Sequence, residues 1–158
     1  EVPKCGLKLE KGDGEPVKET VGGKVIITIN EKPMFAELAI MQYFIADGWE
    51  SRWIETYGKS KMEPICLSEW VDDKYKNQIH NPITNGSIQT LLNSIATANG
   101  NSFSGCWDVI GWKNDKIIFA ESKRTKKDSV RSTQNNWLMA GLKSGLSLNN
   151  FLIVQWDF

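Results

Sequence analysis

The chain has 158 residues, 19 basic and 19 acidic side chains, and a formal net charge of zero. That length fits one domain built on one core, and the neutral balance argues against a protein that coats nucleic acid by bulk charge. Cys5, Cys66 and Cys106 stand far apart with no Cys-x-x-Cys pair, a spacing that argues against a disulfide framework or a zinc site and fits free thiols in a reducing compartment.

No apolar run approaches the roughly 20 residues of a membrane span, and no signal-peptide pattern is visible. The expectation is no membrane partner and a cytoplasmic, nucleoid or nuclear setting. The chain opens on Glu1 rather than Met, as a processed chain or a piece of a longer protein would.

Residues 1–22 are rich in Gly, Lys and Glu and read as a mobile lead-in with room for one short strand, ahead of a single domain over 23–158. KVIITIN, 24–30, is β-branched and predicts a strand. Pro33 sits where a first helical turn accepts proline, so a helix is expected from Pro33 to Ala46, with Gly48 as its stop. Nearly every face of that helix is apolar, which predicts packing on most sides. Glu37 is the only charge inside it. It lies either on a thin exposed stripe, in a local ion pair, or buried for a purpose, because a buried carboxylate is costly unless paired or bound to a cation.

ESRWIETYG, 50–58, alternates as a strand does. ICLSEWV is short strand or helix, and 72–86 reads as loop, with Asn-Pro and Asn-Gly as turn signals. His80, the only histidine, falls there and reads as a solvated loop side chain. GSIQTLLNSIATANG, 86–100, predicts a helix with Ser87 near its N-cap.

The last third is the best patterned. A strand is expected over 105–112, a turn at 113–115, a return strand over 116–123, a basic loop, a helix over 129–145 and a final strand over 149–158. Trp107, Trp112, Trp137 and Trp156 all fall here, so much of the core should too. Trp137 shares helical spacing with Leu138 and Leu142 and reads as core. Trp112 and Lys113, at the hairpin tip, read as core and turn. Between Lys113 and Lys143 basic residues exceed acidic ones by five.

Alternation along the return strand puts Ile117, Phe119, Glu121 and Lys123 on one face. Asp108, Ile110 and Trp112 share a face of the partner strand. Register permitting, Asp108 and Glu121 approach each other, with Lys123 beside them. Two carboxylates held together repel unless they share a proton or a cation. A hard divalent ion such as Mg²⁺ takes one or two protein carboxylates and keeps several waters. With a lysine to hold a phosphate or to orient water, the set suits phosphodiester hydrolysis. An isolated Glu-x-Lys at a strand end is more often a solvated ion pair, so the weight lies in the order of parts around it.

That order is a helix with one Glu, an Asp strand, Glu121-Ser122-Lys123 on the hairpin partner, then Gln134-Asn-Asn-Trp137-Leu138 and Gly145 before a last strand. The run resembles the PD-(D/E)xK nuclease superfamily, and within it the virus-type replication-repair nuclease branch (VRR-NUC). The resemblance covers roughly 105–156 and the helix around Glu37. It implies an α/β fold with a restriction-endonuclease-like core, a mixed central sheet flanked by helices. It implies a Mg²⁺- or Mn²⁺-dependent nuclease acting on DNA and leaving 5′-phosphate and 3′-hydroxyl ends. Asp108, Glu121 and the backbone carbonyl of Ser122 would ligate the metal, and Lys123 would be the catalytic lysine. Gln134 would face substrate or a metal-bound water. Glu37 would add an outer or water-mediated metal contact. Trp107 and Ser122 depart from the pattern, which more often has Pro before the aspartate and a β-branched apolar residue between Glu and Lys.

Arg124, Lys126, Lys127 and Arg131 follow the Glu-x-Lys strand and would grip flanking phosphates, unless they form only a solvated charged loop. So small a core leaves a second copy, a fused domain, or an inhibitory or targeting protein as further partners. Two rivals stand beside the nuclease: an inactive module of the same fold that binds DNA or a protein, and an interaction domain in which the acidic-basic set is chance.

Overall fold

The computed structural model describes residues 1–11, 26–29, 32–56, 62–71 and 73–158. In chain order these form β1 (Lys4–Lys8), β2 (Glu10–Lys11), β3 (Ile26–Ile29), β4 (Lys32–Phe35), α1 (Ala36–Ala46), β5 (Glu50–Glu55), β6 (Ile65–Leu67), α2 (Gly86–Ala98), β7 (Val109–Lys113), β8 (Lys116–Arg124), α3 (Ser132–Lys143) and β9 (Phe151–Asp157). The fold is mixed α/β. A six-stranded sheet runs β1-β9-β8-β7-β5-β6, and a small three-stranded sheet runs β2-β3-β4. In the large sheet β9 is parallel to both β1 and β8, whereas β8-β7, β7-β5 and β5-β6 are antiparallel.

The period of two along the strands sorts side chains onto two cores. Ile110, Trp112, Ile117, Phe119, Phe151 and Ile153 pack against α2 and α3 through Ile88, Leu92, Ile95, Trp137 and Leu138. Trp53, Val109, Ala120 and Val154 pack on the opposite face against Leu38, Ile40 and Met41 of α1. Trp107, Trp112, Trp137 and Trp156 are all buried, Trp107 and Trp137 completely. At about 25 cal/mol per Å² of apolar surface, aromatic rings of this size dominate what holds the layers together.

Several sequence expectations shift. The lead-in expected over 1–22 begins as an edge strand, because Lys4–Lys8 pairs in register with Ile153–Asp157 of β9; residues 12–22 lie outside the described residues, as do 24, 25 and 30 of the strand expected over 24–30, 57 and 58 of that expected over 50–58, and 72 of the 72–86 loop. The helix expected from Pro33 starts at Ala36 instead. Pro33 lies in β4, opposite Thr28 of β3. β4 is an edge of its sheet, and an edge strand tolerates a residue with no N–H to donate. Only the first half of α1, Ala36–Met41, is buried; Tyr43 and Ile45 are exposed. The strand expected over 105–112 begins only at Val109.

Helix α2 is capped by Asn85 rather than Ser87, with Asn85 Oδ1 accepting from Ile88 N at 3.2 Å. Losing such a cap costs about 1 kcal/mol. Asn85→Ala should therefore lower the melting temperature by roughly 2–4 °C for a chain of this size, read by thermal denaturation. An unchanged midpoint would mean that the cap carries nothing. His80 is exposed, but its Nδ1 accepts from Cys66 N at 3.0 Å and so ties the 72–86 loop to β6. Among the described residues no helix is long and apolar enough to cross a membrane.

Candidate active site

The β7–β8 register aligns Val109 with Ala120, which places Asp108 opposite Glu121 just where β7 begins. Two hydrogen bonds lock the pair. Asp108 N donates to Glu121 Oε2 at 3.2 Å, and Ser122 N donates to Asp108 Oδ2 at 2.9 Å. Each carboxylate is thus held by the backbone of the other strand. Asp108 O in turn accepts from Ile54 N of β5 at 2.7 Å, anchoring the aspartate to a third strand.

β8 continues past its last pair with β7 to Arg124, so Glu121, Ser122 and Lys123 extend beyond the hairpin. On their other side they remain paired with Ile153, Val154 and Gln155 of β9. The Ser122 N–H points to the β7 side, toward Asp108. In an extended strand the carbonyl of the same residue leaves on that side too.

Glu121 and Lys123 share a face, as the alternation requires. Lys123 Nζ lies 3.0 Å from Glu121 Oε1 and donates to Gln134 Oε1 at 3.0 Å. Gln134 Nε2 donates to Glu121 Oε1. A closed triangle results, Glu121–Lys123–Gln134. Glu121 is 1 % exposed, Lys123 6 % and Gln134 5 %. Gln134 sits in the first turn of α3. Its Oε1 accepts Arg131 N at 2.8 Å, as the third residue of a capped helix does. Its backbone oxygen accepts Trp107 Nε1 at 3.0 Å. Trp107, read as a departure from the family pattern, therefore ties α3 to the aspartate's own segment.

The site is electrostatically loaded. Burial pushes the Glu121 carboxyl well above its usual range and the Asp108 charge adds to the rise, while Lys123 opposes both. Cys106, buried two residues before Asp108, is held well above the ordinary thiol range, first by burial.

The remaining expected residues spread out. Glu37 is buried in the first turn of α1. Among the described residues no three or more His, Cys, Asp or Glu side chains gather as a metal-holding group. Lys126, Lys127 and Arg131 are exposed on the loop between β8 and α3. Arg124 parts from them. Its guanidinium lies over the rings of Trp156 (5.7 Å) and Phe158 (4.9 Å) and 3.8 Å from Asp157 Oδ1. By strand alternation it faces away from Lys123.

Three contributors escaped the sequence reading. Trp107 holds Gln134. Trp156 Nε1 donates to Ser122 Oγ at 2.9 Å, fixing the residue between Glu121 and Lys123 from the other face. Gly105 allows the segment before Asp108 to pass against the start of α3. The signal for the first and last was the run Gly105-Cys-Trp107-Asp108, where a small residue and a ring precede an acid. The chain matches no protein-family model, no curated protein and no solved structure.

Proposed function

We propose that this chain is a metal-dependent nuclease of the PD-(D/E)xK type, with a restriction-endonuclease-like core, hydrolysing phosphodiester bonds of DNA. The observation that supports it best is the buried lysine–carboxylate–amide triangle set against a second carboxylate at a strand end. A solvated ion pair would be exposed and worth about 0–1 kcal/mol. Here the fold buries Glu121 and Lys123 at a cost that stability alone does not repay.

Asp108, Glu121 and the Ser122 carbonyl are the donors for Mg²⁺ or Mn²⁺, and this all-oxygen set with two carboxylates suits a hard cation. When bound, that ion neutralises charge on a phosphodiester and lowers the pKa of a water. Lys123, held by Gln134, presents its ammonium to the scissile phosphate or to the attacking water. Gln134 orients Lys123 and Glu121 together. Glu37 acts from α1 through water. Lys126, Lys127 and Arg131 contact flanking phosphates.

The test is cleavage of supercoiled, linear, single-stranded and branched DNA with Mg²⁺, Mn²⁺ or EDTA. Lys123→Ala is expected to lose at least about 100-fold, the scale of a positioned acid–base group. Asp108→Ala should lose the metal requirement's benefit entirely. Cutting that survives both substitutions, or no cutting in any metal, overturns the proposal. One observation favours the non-cutting alternative, a module that binds DNA or a partner protein: Lys123 is already paired with Glu121. That reading predicts DNA or protein binding indifferent to Asp108→Ala.

A further inference from the structure

On the α2–α3 side of the sheet a cleft of about 400 Å³ opens between β5–β6 and α2. Three observations connect its walls to the Asp108 segment and to α3. Ile54 lines the cleft, and its N–H donates to Asp108 O at 2.7 Å. Cys66 lines it as well, and Cys66 and Ile54 belong to the same buried cluster as Cys106 and Trp107, the two residues before Asp108. Phe103, a third wall, packs tilted against Trp137 with ring centroids 5.9 Å apart and planes 33° apart, one helical turn beyond Gln134.

We propose that this cleft receives an unpaired nucleobase of the strand being cut, so that the enzyme prefers a scissile phosphate next to an unstacked nucleotide. The proposal rests on the nuclease reading above. The walls and the rim match a flat heterocycle. Ile54, Leu92 and Phe103 offer apolar and aromatic surface to its faces. Three polar side chains stand at the edge. His80 Nδ1 accepts from Cys66 N, so the neutral ring carries its proton on Nε2 and presents a donor. Gln89 Nε2 donates to Ile83 O at 2.7 Å, which orients its amide and turns Oε1 out as an acceptor. Asn93 carries both on the exposed side of α2.

A purely aliphatic ligand would leave these groups unpaired. Purine and pyrimidine edges carry adjacent donors and acceptors, and bases read in this way are splayed out of the stack and laid on aromatic rings. The volume falls within the roughly 300–1,000 Å³ of small-ligand sites. A base still paired in a duplex has its edge engaged and its faces covered, so only an unpaired one enters.

The test uses the full chain in EDTA, where no cutting occurs, and fluorescence anisotropy of a labelled single-stranded oligonucleotide. A matched strand with every base removed is the comparison, and adenosine and cytidine monophosphates are the competitors. Wild type should bind the intact strand about tenfold more tightly than the abasic one, the scale of one base stacked on a ring. Asn93→Trp, which fills the cleft mouth from the exposed face of α2, should bind both strands alike. Gln89→Ala should narrow the difference in the same direction, and melting temperatures establish that both variants fold.

Equal binding of the two strands by wild type, or discrimination that persists in both folded variants, overturns the cleft assignment. So does competition by the free monophosphates as strong as by the strand, which would make it a free-nucleotide site. Cleavage in Mg²⁺ is read separately. Metal-dependent cutting without base discrimination leaves the nuclease and removes the cleft. Base discrimination without cutting supports base binding at the cleft and overturns the nuclease.

Discussion

Glu121→Gln is expected to lower metal-dependent cleavage by more than about a thousandfold, because it removes one of two carboxylates and with it several kcal/mol of metal-borne charge stabilisation. The same substitution should change how stability depends on pH. The wild-type carboxyl sits well above its ordinary value of 4.5, first through burial and then through Asp108. A folded-state pKa above the unfolded one means that the native state holds the extra proton between the two values. The contribution to stability is therefore full below about pH 4.5 and is lost as pH rises through the raised folded value. Metal-free wild type should show a falling melting temperature across that window, and Glu121→Gln should show a flatter one. The amide keeps an oxygen for Lys123 and Gln134, so the triangle survives in part. At about pH 8, Mg²⁺ at 100 times its dissociation constant should stabilise wild type by about 2.7 kcal/mol, or roughly 5–10 °C, and leave the variant unmoved. Parallel pH profiles, or equal response to Mg²⁺, would remove Glu121 from the metal site.

The wild type thus carries at one position a charge that burial and Asp108 disfavour and that a proton or, on the proposed reading, a bound cation relieves. Legibility in the sequence follows the same line. Strict alternation in KIIFAESK places Glu121 and Lys123 on the face of Ile117 and Phe119, and the tight Asn114–Asp115 turn sets the register that brings Asp108 opposite Glu121. Gln134 was singled out only through the resemblance of Gln134-Asn-Asn-Trp137-Leu138 to a known motif; in the fold one helical turn puts it and Trp137 on the buried side of α3. What depends on long-range packing was not legible. Pro33 suits a helix start as well as an edge strand, and only pairing with β3 decides between them. Arg124 looks like part of a basic loop until β8 proves to run one residue past Lys123, which turns it toward Trp156 and Phe158. Glu37 was legible as a charge in an apolar helix, but whether it is exposed or buried depends on how α1 packs on the sheet, which periodicity does not encode, and the fold buries it. The mixed sheet order, with β9 between β1 and β8, has no local signature at all.

Gly105→Ala should be the most damaging Gly→Ala change among the described residues. Gly105 has φ +79°, and a Cβ there would lie 2.0 Å from Thr133 O and 3.0 Å from Gln134 N. Two costs add. A non-glycine residue in the left-handed region costs about 1–2 kcal/mol, and overpacking against a backbone that has to shift costs about 1–3 kcal/mol more. The expected loss is about 3 kcal/mol, or roughly 6–12 °C in melting temperature. Gly145→Ala is the control. Its φ is +98°, but a Cβ there meets nothing within 4 Å, so only the conformational cost applies. The difference between the two variants isolates the close approach of Gly105 to α3. That approach positions function as well as fold. To clear the methyl, the first turn of α3 has to move, and Gln134 moves with it, out of hydrogen-bonding distance of Lys123 and Glu121. Cleavage by Gly105→Ala should therefore fall well below the level set by its folded fraction, whereas cleavage by Gly145→Ala should track its folded fraction. If the activity of Gly105→Ala at a temperature where it is fully folded equals that of wild type, the placement of Gln134 by that contact is not what arms Lys123.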